Sequence, residues 1–326
     1  MNVRKTMITT PPNILATKQN YSTRTILFTN ARDEKNMKEW VTHHLLLRFD
    51  IIYIFDHKSK IPLKNEFRNF SKRVIIERVE MNNPVKLPLM MRAVKIAKRL
   101  GVDWMLYLDA DEFLVLNHYM GVRHLLRNYN FAHSLAINWL MFGSSYHKKD
   151  PSGLLIENYT KSVQTIDQHV KTFVRPEYVT SATNPHFFNV IFPNKMFSMN
   201  MKNMSGSPAF NVWTIEYKDA PAFIAHYVHQ SEESYINRKL KLPMDSHTSF
   251  RGIDQHMHRL YNDVDNFLVR NKYAGRVRHF LNIANNVTDS NEVKEQIEEQ
   301  LESVDDSDTT LQESLDSELP KNETIL

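Results

Sequence analysis

The run Trp104-Met-Leu-Tyr-Leu-Asp-Ala-Asp-Glu-Phe-Leu-Val-Leu116 decides how this chain folds. Its first five residues are apolar or aromatic, and such a run is too short for a core helix but long enough for a buried strand. The carboxylates of Asp109, Asp111 and Glu112 follow at once. In open α/β sheets, ligands bind beyond the carboxyl ends of the strands. The sequence therefore predicts a buried strand that delivers acidic side chains to a ligand site.

Asp109 and Asp111 are separated by one residue, so both side chains can lean toward one cation while Ala110 points away. Two neighbouring carboxylates at the end of a buried strand raise each other's pKa, and a divalent ion such as Mg2+ or Mn2+ removes that cost. We interpret the pair as a metal site that binds a diphosphate. The alternative is a solvated boundary between a strand and a turn, which an arbitrary Asp-x-Asp most often marks.

The preceding residues predict a βαβ unit. A strand over Thr25–Thr29, a helix around Trp40 and a strand over Ile51–Phe55 fit within about 30 residues, so the two strands should be parallel with a right-handed crossover. The loops after these strands then lie at the same edge of the sheet as Asp109. Arginine suits the planar recognition of a diphosphate, and aspartate can accept hydrogen bonds from a base or ribose. The candidate nucleotide-binding residues are Asn30, Arg32, Asp33, Asp56, Arg92 and Asp109.

The following residues predict further strands, over Lys171–Val179 and Ala222–Val228. His226 is flanked by apolar residues within the second of these strands. Such a histidine is more often a hydrogen-bonded core residue, but a cation with only two carboxylates favours a third ligand here. The loop Phe142–His147 mixes aromatic, small and polar residues. It fits a carbohydrate pocket or, nearly as well, a packed turn.

Composition and charge set the outer limits. The 326 residues include no cysteine, which excludes disulfides, thiolate metal sites and a cysteine nucleophile. We expect three segments: a polar arm over residues 1–22, a folded domain over 23–286 and an acidic, disordered tail over 287–326. The tail carries 13 acidic residues against two lysines, which leaves the rest of the chain at a net charge of +15. A basic body of this kind favours an anionic partner.

The sequence contains neither a recognisable signal peptide nor a run as long as a membrane span. The expected location is therefore cytoplasmic, or peripheral on the cytoplasmic face of a membrane.

Several motifs, in order, resemble those of GT-A glycosyltransferases of the family 2 and family 92 type. The likeness covers about residues 23–284 and is specific only when its motifs are taken together. The matching residues are Ala31-Arg-Asp-Glu, Glu39-Trp40, His44 with Phe49-Asp50, Ile54-Phe-Asp56-His-x-Ser59, Trp104–Leu116, Phe142-Gly-Ser-Ser-x-His147, Lys171-Thr-x-x-Arg-Pro176 with His186, and Ala225-His-Tyr with Ser231-Glu-Glu.

The resemblance implies a Rossmann-like GT-A fold, with helices flanking a mixed, mainly parallel sheet. It also implies an enzyme that moves a sugar from a nucleotide-diphosphate sugar, with a UDP-sugar favoured, to a glycan, glycolipid or glycoprotein, and that has no nucleic-acid partner. Mn2+ or Mg2+ would bridge Asp109, Asp111 and the diphosphate, with His226 as a further contact. An inverting enzyme needs a carboxylate base, for which the candidates are Glu157, Asp254, Asp263 and Asp265, with the last two preferred because their block recurs in the family.

The chain departs from the family pattern at three positions. Asp33 replaces the usual asparagine, Arg48 stands where glycine is common, and His57 replaces asparagine. The first and third belong to the expected nucleotide loops and leave the base and sugar open.

Two other readings compete. An apolar strand ending in Asp-x-Asp also describes haloacid-dehalogenase-type phosphatases, although those place the motif on their first strand and here two strands precede it. A catalytically inactive glycan- or nucleotide-binding module on the same scaffold is the third reading, because a fold does not guarantee chemistry.

Overall fold

The first strands are apolar at consecutive positions. Because successive side chains of a strand point to opposite faces of the sheet, such strands are buried on both faces. The computed structural model describes residues 23–68, 70–241 and 256–286. The predicted arm over 1–22, the predicted tail over 287–326 and the base candidate Asp254 lie outside these ranges. The strands of the described chain are β1 (Thr25–Ala31), β2 (Ile51–His57), β3 (Val74–Val79), β4 (Trp104–Tyr107), β5 (Glu112–Leu116), β6 (Ser134–Met141), β7 (Lys161–Ser162), β8 (Val170–Val174), β9 (Val179–Asn184), β10 (Phe187–Val190), β11 (Met196–Ser198), β12 (Ala222–His226) and β13 (Val264–Asp265).

The main sheet has the order β3-β2-β1-β4-β8-β6-β12-β5, and β11 pairs with β6. The pairs β1–β2, β1–β4, β2–β3, β6–β11 and β6–β12 are parallel. The strand β8 runs antiparallel to both β4 and β6, and β5 runs antiparallel to β12. The predicted mixed, mainly parallel α/β fold is confirmed, including the parallel pairing of the first two strands.

Helices cover both faces of this sheet. The helices are α1 (Met37–Leu46), α2 (Leu63–Glu66), α3 (Lys86–Leu100), α4 (Val122–Arg127), α5 (Leu155–Asn158), α6 (Glu232–Tyr235) and α7 (Gly275–Asn286), and a π-helical turn follows α6 (Ile236–Leu240) and another precedes α7 (Arg270–Ala274). Helix α3 ends at Gly101, whose φ of +63° lies in the left-handed region that glycine adopts without strain. None of the described helices combines the length and apolar composition that a bilayer crossing requires.

Two hydrophobic layers flank the sheet and follow the alternation of its strands. On one side, Leu27 and Leu106 pack with Trp40 of α1 and Val277 of α7. On the other, the neighbouring positions in β1 and β4 pack with residues of α3 such as Leu89. These side chains are almost completely buried. Because burial of a large apolar side chain stabilises a fold by about 1.5–3 kcal/mol, the two layers hold the sheet as a rigid base for its loops.

The two later strands are shorter than predicted, and the one expected over Ala222–Val228 ends at His226. The strand predicted over Lys171–Val179 ends at Val174, because Arg175 and Pro176 begin a 3-10 turn, where the fixed φ of proline suits the first turn of a helix. The run after the acidic residues forms the separate strand β5, which turns back to pair with β12. The hydrophobic pattern of the sequence does not reveal this change of strand direction, because an apolar run looks the same in a parallel and in an antiparallel strand.

Arg48 occupies a backbone conformation that explains its departure from the family pattern. It follows α1, its amide donates to the carbonyl of Leu45, and its φ is +68°. Glycine is common at such a position because it lacks the Cβ that makes the left-handed region costly. Asp33 also has a positive φ, of +52°, which aspartate and asparagine tolerate better than most residues.

Candidate functional site

The carboxyl ends of several strands meet at one edge of the sheet. Strands β1, β4, β6 and β12 all point to this edge, and the antiparallel β5 and β8 begin there. A cavity of about 520 Å³ opens at it, a size typical of ligand sites. Its wall is formed by Asn30, Arg32, Asp33, Glu34, Lys86, Asp109, Ala110, Asp111, Trp139, Met141, Asp167, His169, Lys171, Pro185, His186, His226, Val228, His229, Tyr235, Arg238, Lys239, Met257 and Tyr261.

Asp109 is held between two lysines at the floor of this cavity. Its Oδ1 accepts from Lys86, and its Oδ2 accepts from Lys171 Nζ at 2.8 Å. Both lysines are buried, with side chains 3% and 2% exposed, whereas the Asp109 side chain is 39% exposed. Burial alone would raise the pKa of Asp109, but the two ammonium groups outweigh it and hold that pKa well below its usual range. Asp109 is therefore a carboxylate at neutral pH.

Asp111 is held by a second set of basic groups, which come from the helix after β12. The Oδ2 atom accepts from Arg238 Nη2 at 3.0 Å and from Lys239 Nζ at 3.4 Å. Burial opposes ionisation, yet Lys239, His226 and Arg238 keep the pKa of Asp111 well below its usual range. Arg238 and Lys239 lie in the π-helical turn, a widened turn that recurs at functional sites.

The start of that helix is fixed by a side-chain cap. Ser231 Oγ accepts from the amide of Ser234 at 3.0 Å, and Glu232 and Glu233 occupy the first turn, where the helix dipole favours them. The cap therefore sets where the basic residues of the next turn point.

Glu112 stabilises the turn that carries Asp109 and Asp111 through a hydrogen bond to its backbone. Its Oε2 accepts from the amide of Asp109 at 2.8 Å and lies 3.5 Å from Lys171 Nζ. The side chain is fully buried, and burial raises the pKa of Glu112 to about 7, with Lys171 opposing the rise. In the sheet register Glu112 is the partner of His226, and the amide of Tyr227 donates to the carbonyl of Asp111 at 2.9 Å. The turn between β4 and β5 is thus tied to the end of β12.

A divalent cation can bind only to carboxylate oxygens of Asp109 and Asp111 that do not already accept from a basic side chain. Neither carboxylate oxygen of Asp109 is available, because each accepts a hydrogen bond from a lysine. Asp111 Oδ1 lies 3.6 Å from His226 Nε2, a separation that one ion can bridge. No cluster of three or more His, Asp or Glu residues with metal-binding geometry exists in the described part of the chain. Because Mg2+ is commonly bound by one or two protein groups plus phosphate oxygens and water, Asp111 and His226 fit such an ion when a ligand completes its shell.

The first loop borders the same cavity. Asn30 Oδ1 accepts from Lys86 Nζ and from the hydroxyl of Tyr107, both at 3.1 Å. Asp33 Oδ1 accepts from the amide of Lys60 at 2.7 Å, which fixes the loop through its aspartate. Asn30, Arg32 and Asp33 line the cavity wall, at the sheet edge where the sequence places them.

One wall of the cavity consists of aromatic and imidazole rings. Trp139, near the end of β6, lies with its ring centroid 4.3 Å from that of His226, 4.9 Å from that of His186 and 5.3 Å from that of His169. Burial, followed by the charge of Lys171, lowers the pKa of His186 to about 4, so its ring is neutral at physiological pH. An aromatic ring such as Trp139 in this wall suits the apolar face of a sugar ring.

Other candidates lie away from the cavity. Asp56 is buried, and its oxygens accept from Arg78, from the amide of Ser59 and from the amide of Leu63. His57 is also buried, and its Nε2 contacts the carbonyl of Met81 at 2.9 Å. Arg92 pairs with Glu77 on the protein surface, with its side chain 51% exposed.

The structure brings none of the described base candidates to the cavity. Glu157 pairs with Arg278, and Asp265 pairs with Lys161 Nζ at 2.7 Å. Asp263 is exposed and is not among the cavity-lining residues.

The first half of the loop Phe142–His147 is buried, as the alternative of a packed turn predicts, whereas Tyr146 is 67% exposed. Phe142 is fully buried, and the loop does not line the cavity. An ideal Cβ on Gly143 would lie 2.5 Å from Asn262 Oδ1 and 2.5 Å from the carbonyl oxygen of Tyr261. Asn262 Oδ1 also accepts from the amide of Ser145 at 2.8 Å. The absence of a side chain at 143 therefore allows this loop to support the segment that carries Tyr261.

The basic residues around the acidic pair are the part of the site that sequence reasoning missed. Lys86 gives a signal that is visible in retrospect, because it opens α3 in a first turn without any acidic residue. A lysine opposes the helix dipole there, and its burial requires a partner charge. Lys171 stands in a family-like segment. Arg238 and Lys239 give no signal of their own, because basic residues near the end of a helix are ordinary.

No protein-family model and no curated protein sequence matches the chain. Among solved structures, the chain is similar to Staphylococcus aureus TarS 1-349 in complex with UDP, with 12% identity, a TM-score of 0.33, and coverage of 48% of this chain and 47% of that one. It is also similar to a cytidylyltransferase from Leptospira borgpetersenii, with 16% identity, a TM-score of 0.24, and coverage of 36% and 54%. A third similarity is to A197 from STIV, with 12% identity, a TM-score of 0.24, and coverage of 48% and 66%.

The chain thus spans less than two thirds of each of these three structures. Because all three TM-scores lie below 0.5, these partial likenesses establish neither a shared fold nor a shared function.

Proposed function

We propose that this protein is a glycosyltransferase that moves a sugar from a nucleotide-diphosphate sugar to a hydroxyl acceptor, with inversion and with help from Mn2+ or Mg2+. One observation carries the proposal: a single cavity combines basic groups paired with Asp109 and Asp111 with a ring-lined wall around Trp139. The basic groups suit a diphosphate, and the wall suits a sugar. A site for a diphosphate joined to a sugar needs both, side by side.

The charges of the cavity support the diphosphate half of the proposal. Four basic residues form ion pairs with the two carboxylates and border the cavity: Lys86, Lys171, Arg238 and Lys239. Asp109 and Asp111 hold these cations in place before a ligand arrives, so little reorganisation is needed when negative charge grows on the leaving diphosphate. Such preorganised charge is usually the largest single contribution to catalysis.

Asp111 and His226 are the residues that would hold a divalent ion. When bound, the ion supplies Lewis-acid stabilisation of the diphosphate. The protein's own residues do the rest: Arg32 and Lys86 bind phosphate oxygens, and Trp139 orients the sugar so that its anomeric carbon faces the acceptor side. Exclusion of water from the half-buried floor strengthens these charge interactions.

A panel of nucleotide sugars tests this proposal. We expect release of nucleoside diphosphate from one donor, with UDP-sugars tried first, and we expect Mn2+ or Mg2+ to accelerate it. Release of inorganic phosphate from p-nitrophenyl phosphate, without nucleotide-sugar turnover, would favour the phosphatase instead. Calorimetric binding of UDP without turnover of any donor would favour the inactive binding module.

A further inference from the structure

Asp167 and His169 form an acid–imidazole pair at the cavity wall. The His169 Nδ1–H donates to Asp167 Oδ1 at 2.6 Å, and the His169 amide donates to the same oxygen at 2.8 Å. Both side chains are about one third exposed, at 31% and 36%, and both border the cavity. With Nδ1 engaged, Nε2 is the ring nitrogen left to accept a proton, and it makes no hydrogen bond to any residue that the structure describes.

The backbone holds this pair against the ring wall. The amide of Asp167 donates to the carbonyl of Trp139 at 2.7 Å, and the amide of Trp139 donates to the carbonyl of His169 at 2.9 Å. The Asn138 side chain donates to the carbonyl of Asp167 at 2.8 Å. The His169 ring also stacks on Trp139, with an interplanar angle of 23°. A catalytic group needs this kind of rigid support.

The pair stands close to the reacting end of the proposed donor. His169 precedes β8, two residues before Lys171, and alternate residues of a strand share a face and lie about 7 Å apart. Lys171 contacts Asp109, and Trp139 contacts both His169 and His226. The imidazole therefore lies on the ring wall, one strand repeat away from the diphosphate floor.

We infer that His169 is the general base of the proposed glycosyl transfer and that Asp167 is its positioning residue, an inference that rests on the proposed function. The acceptor O–H proton moves to Nε2 of His169 while the acceptor oxygen forms a bond to the anomeric carbon. The bond from that carbon to the diphosphate oxygen breaks, and its electron pair leaves with the nucleoside diphosphate. The imidazolium, stabilised by Asp167, then releases its proton to solvent. Sequence reasoning sought a lone carboxylate and passed over this pair.

A packing role for His169 makes different predictions. If the ring only stacks on Trp139, phenylalanine should replace it with little loss. If Nε2 takes a proton, both His169→Phe and His169→Ala should lose turnover, and only the alanine variant leaves space for added imidazole to act in its place. His133→Phe is a matched control, because the His133 ring stacks on Tyr178 at 3.7 Å, away from the cavity.

The experiment uses the full chain and whichever nucleotide sugar the wild-type protein turns over. We expect both His169 variants to lose about 100-fold or more in kcat, as is typical for removal of a general base, with calorimetric UDP affinity unchanged. Imidazole should restore turnover to His169→Ala and not to His169→Phe. Asp167→Asn should lower kcat without raising KM and should alter the acidic side of the pH profile.

Activity of His169→Phe close to that of the His133→Phe control would overturn the assignment, as would a failure of imidazole to restore His169→Ala. In either case the wild-type protein still turns over its donor, so the glycosyltransferase proposal survives. A wild-type protein that neither binds UDP nor turns over any donor would instead defeat the proposed function itself.

Discussion

Asp56 and Asp109 begin from the same sequence signal and end with different roles. Asp56 lies near the end of β2, and Asp109 lies two residues beyond the end of β4, in the same parallel part of the sheet. The oxygens of Asp56 are taken by Arg78 and by the backbone amides of its own loop. Those of Asp109 are taken by two lysines that themselves border a cavity. The partners of Asp56 thus belong to the neighbouring strand and loop, whereas the partners of Asp109 border the cavity that we propose binds the donor.

The largest expected effect lies on the cavity side of this comparison. We expect Asp109→Asn to lower turnover of the donor by about 1,000-fold, because the lysines lose the charge that preorganises them for the leaving diphosphate. Steady-state kinetics measures this loss, and circular dichroism checks that the variant is folded. Turnover within a few-fold of wild type would mean that the lysine arrangement does not serve the ligand.

Asp56→Asn should show the reverse pattern. Loss of the buried carboxylate leaves Arg78 and two amides poorly partnered, so we expect the free energy of unfolding to fall by roughly 3 kcal/mol. Urea denaturation measures this change. UDP affinity, measured where the variant is fully folded, should equal that of wild type, and a tenfold loss would return Asp56 to the nucleotide site.

A third setting is a buried ionisable group whose hydrogen bond goes to a backbone carbonyl. His43 is fully buried, and burial lowers its pKa from 6.5 to about 4, with the bond to the Leu114 carbonyl opposing the shift. The unfolded chain takes up a proton below pH 6.5 and the folded chain does not, so His43 favours unfolding increasingly as the pH falls from 6.5 to 4. We expect up to roughly 2–3 kcal/mol from this effect.

Urea titrations of wild type and His43→Gln at about pH 7.5 and pH 4.5 test the sign. Glutamine keeps a donor for the Leu114 carbonyl and cannot titrate, so the variant should lose less stability on acidification. The slope should not vanish, because burial also holds the pKa of His44 well below its usual range. Equal slopes would contradict the role given to His43.

The smallest expected effect lies at the surface. Arg92 and Glu77 form an exposed ion pair, and such pairs contribute between 0 and about 1 kcal/mol. We expect Arg92→Ala to change the free energy of unfolding by less than about 0.5 kcal/mol and to leave UDP affinity unchanged. A clear loss of affinity in calorimetry would support the sequence-based assignment of Arg92 to the donor site.

Short apolar runs in the sequence predict the central strands of the sheet and the acidic residues at the floor of the cavity. The apolar runs predict β1, β2 and β4, and the rule that ligands bind beyond strand ends predicts the meeting of Arg32, Asp109 and Asp111. His226 joins them because β12 ends at the same edge. These predictions succeed because each depends on a short run and on one topological rule.

The remaining residues depend on contacts that no short pattern encodes. Asp111 meets Arg238 across 127 positions of the chain, and Asp109 meets Lys171 across 62. Which strand-end carboxylate faces a cavity depends on where distant segments pack, and for Asp109 these are the segments that carry Lys86 and Lys171. The sequence places both Asp56 and Asp109 at the nucleotide site, and only the packing of distant segments separates them.

Gly143 is a position outside the cavity at which a substitution would displace a segment of the cavity rim. The backbone of Tyr261 rests where a methyl group would sit on residue 143, so Gly143→Ala would push on the rim of the cavity from outside it. The acidic floor and its lysines belong to other strands and would not feel this push directly. An engineer seeking new acceptors could therefore reshape the mouth of the pocket from its outer side while leaving the donor chemistry intact.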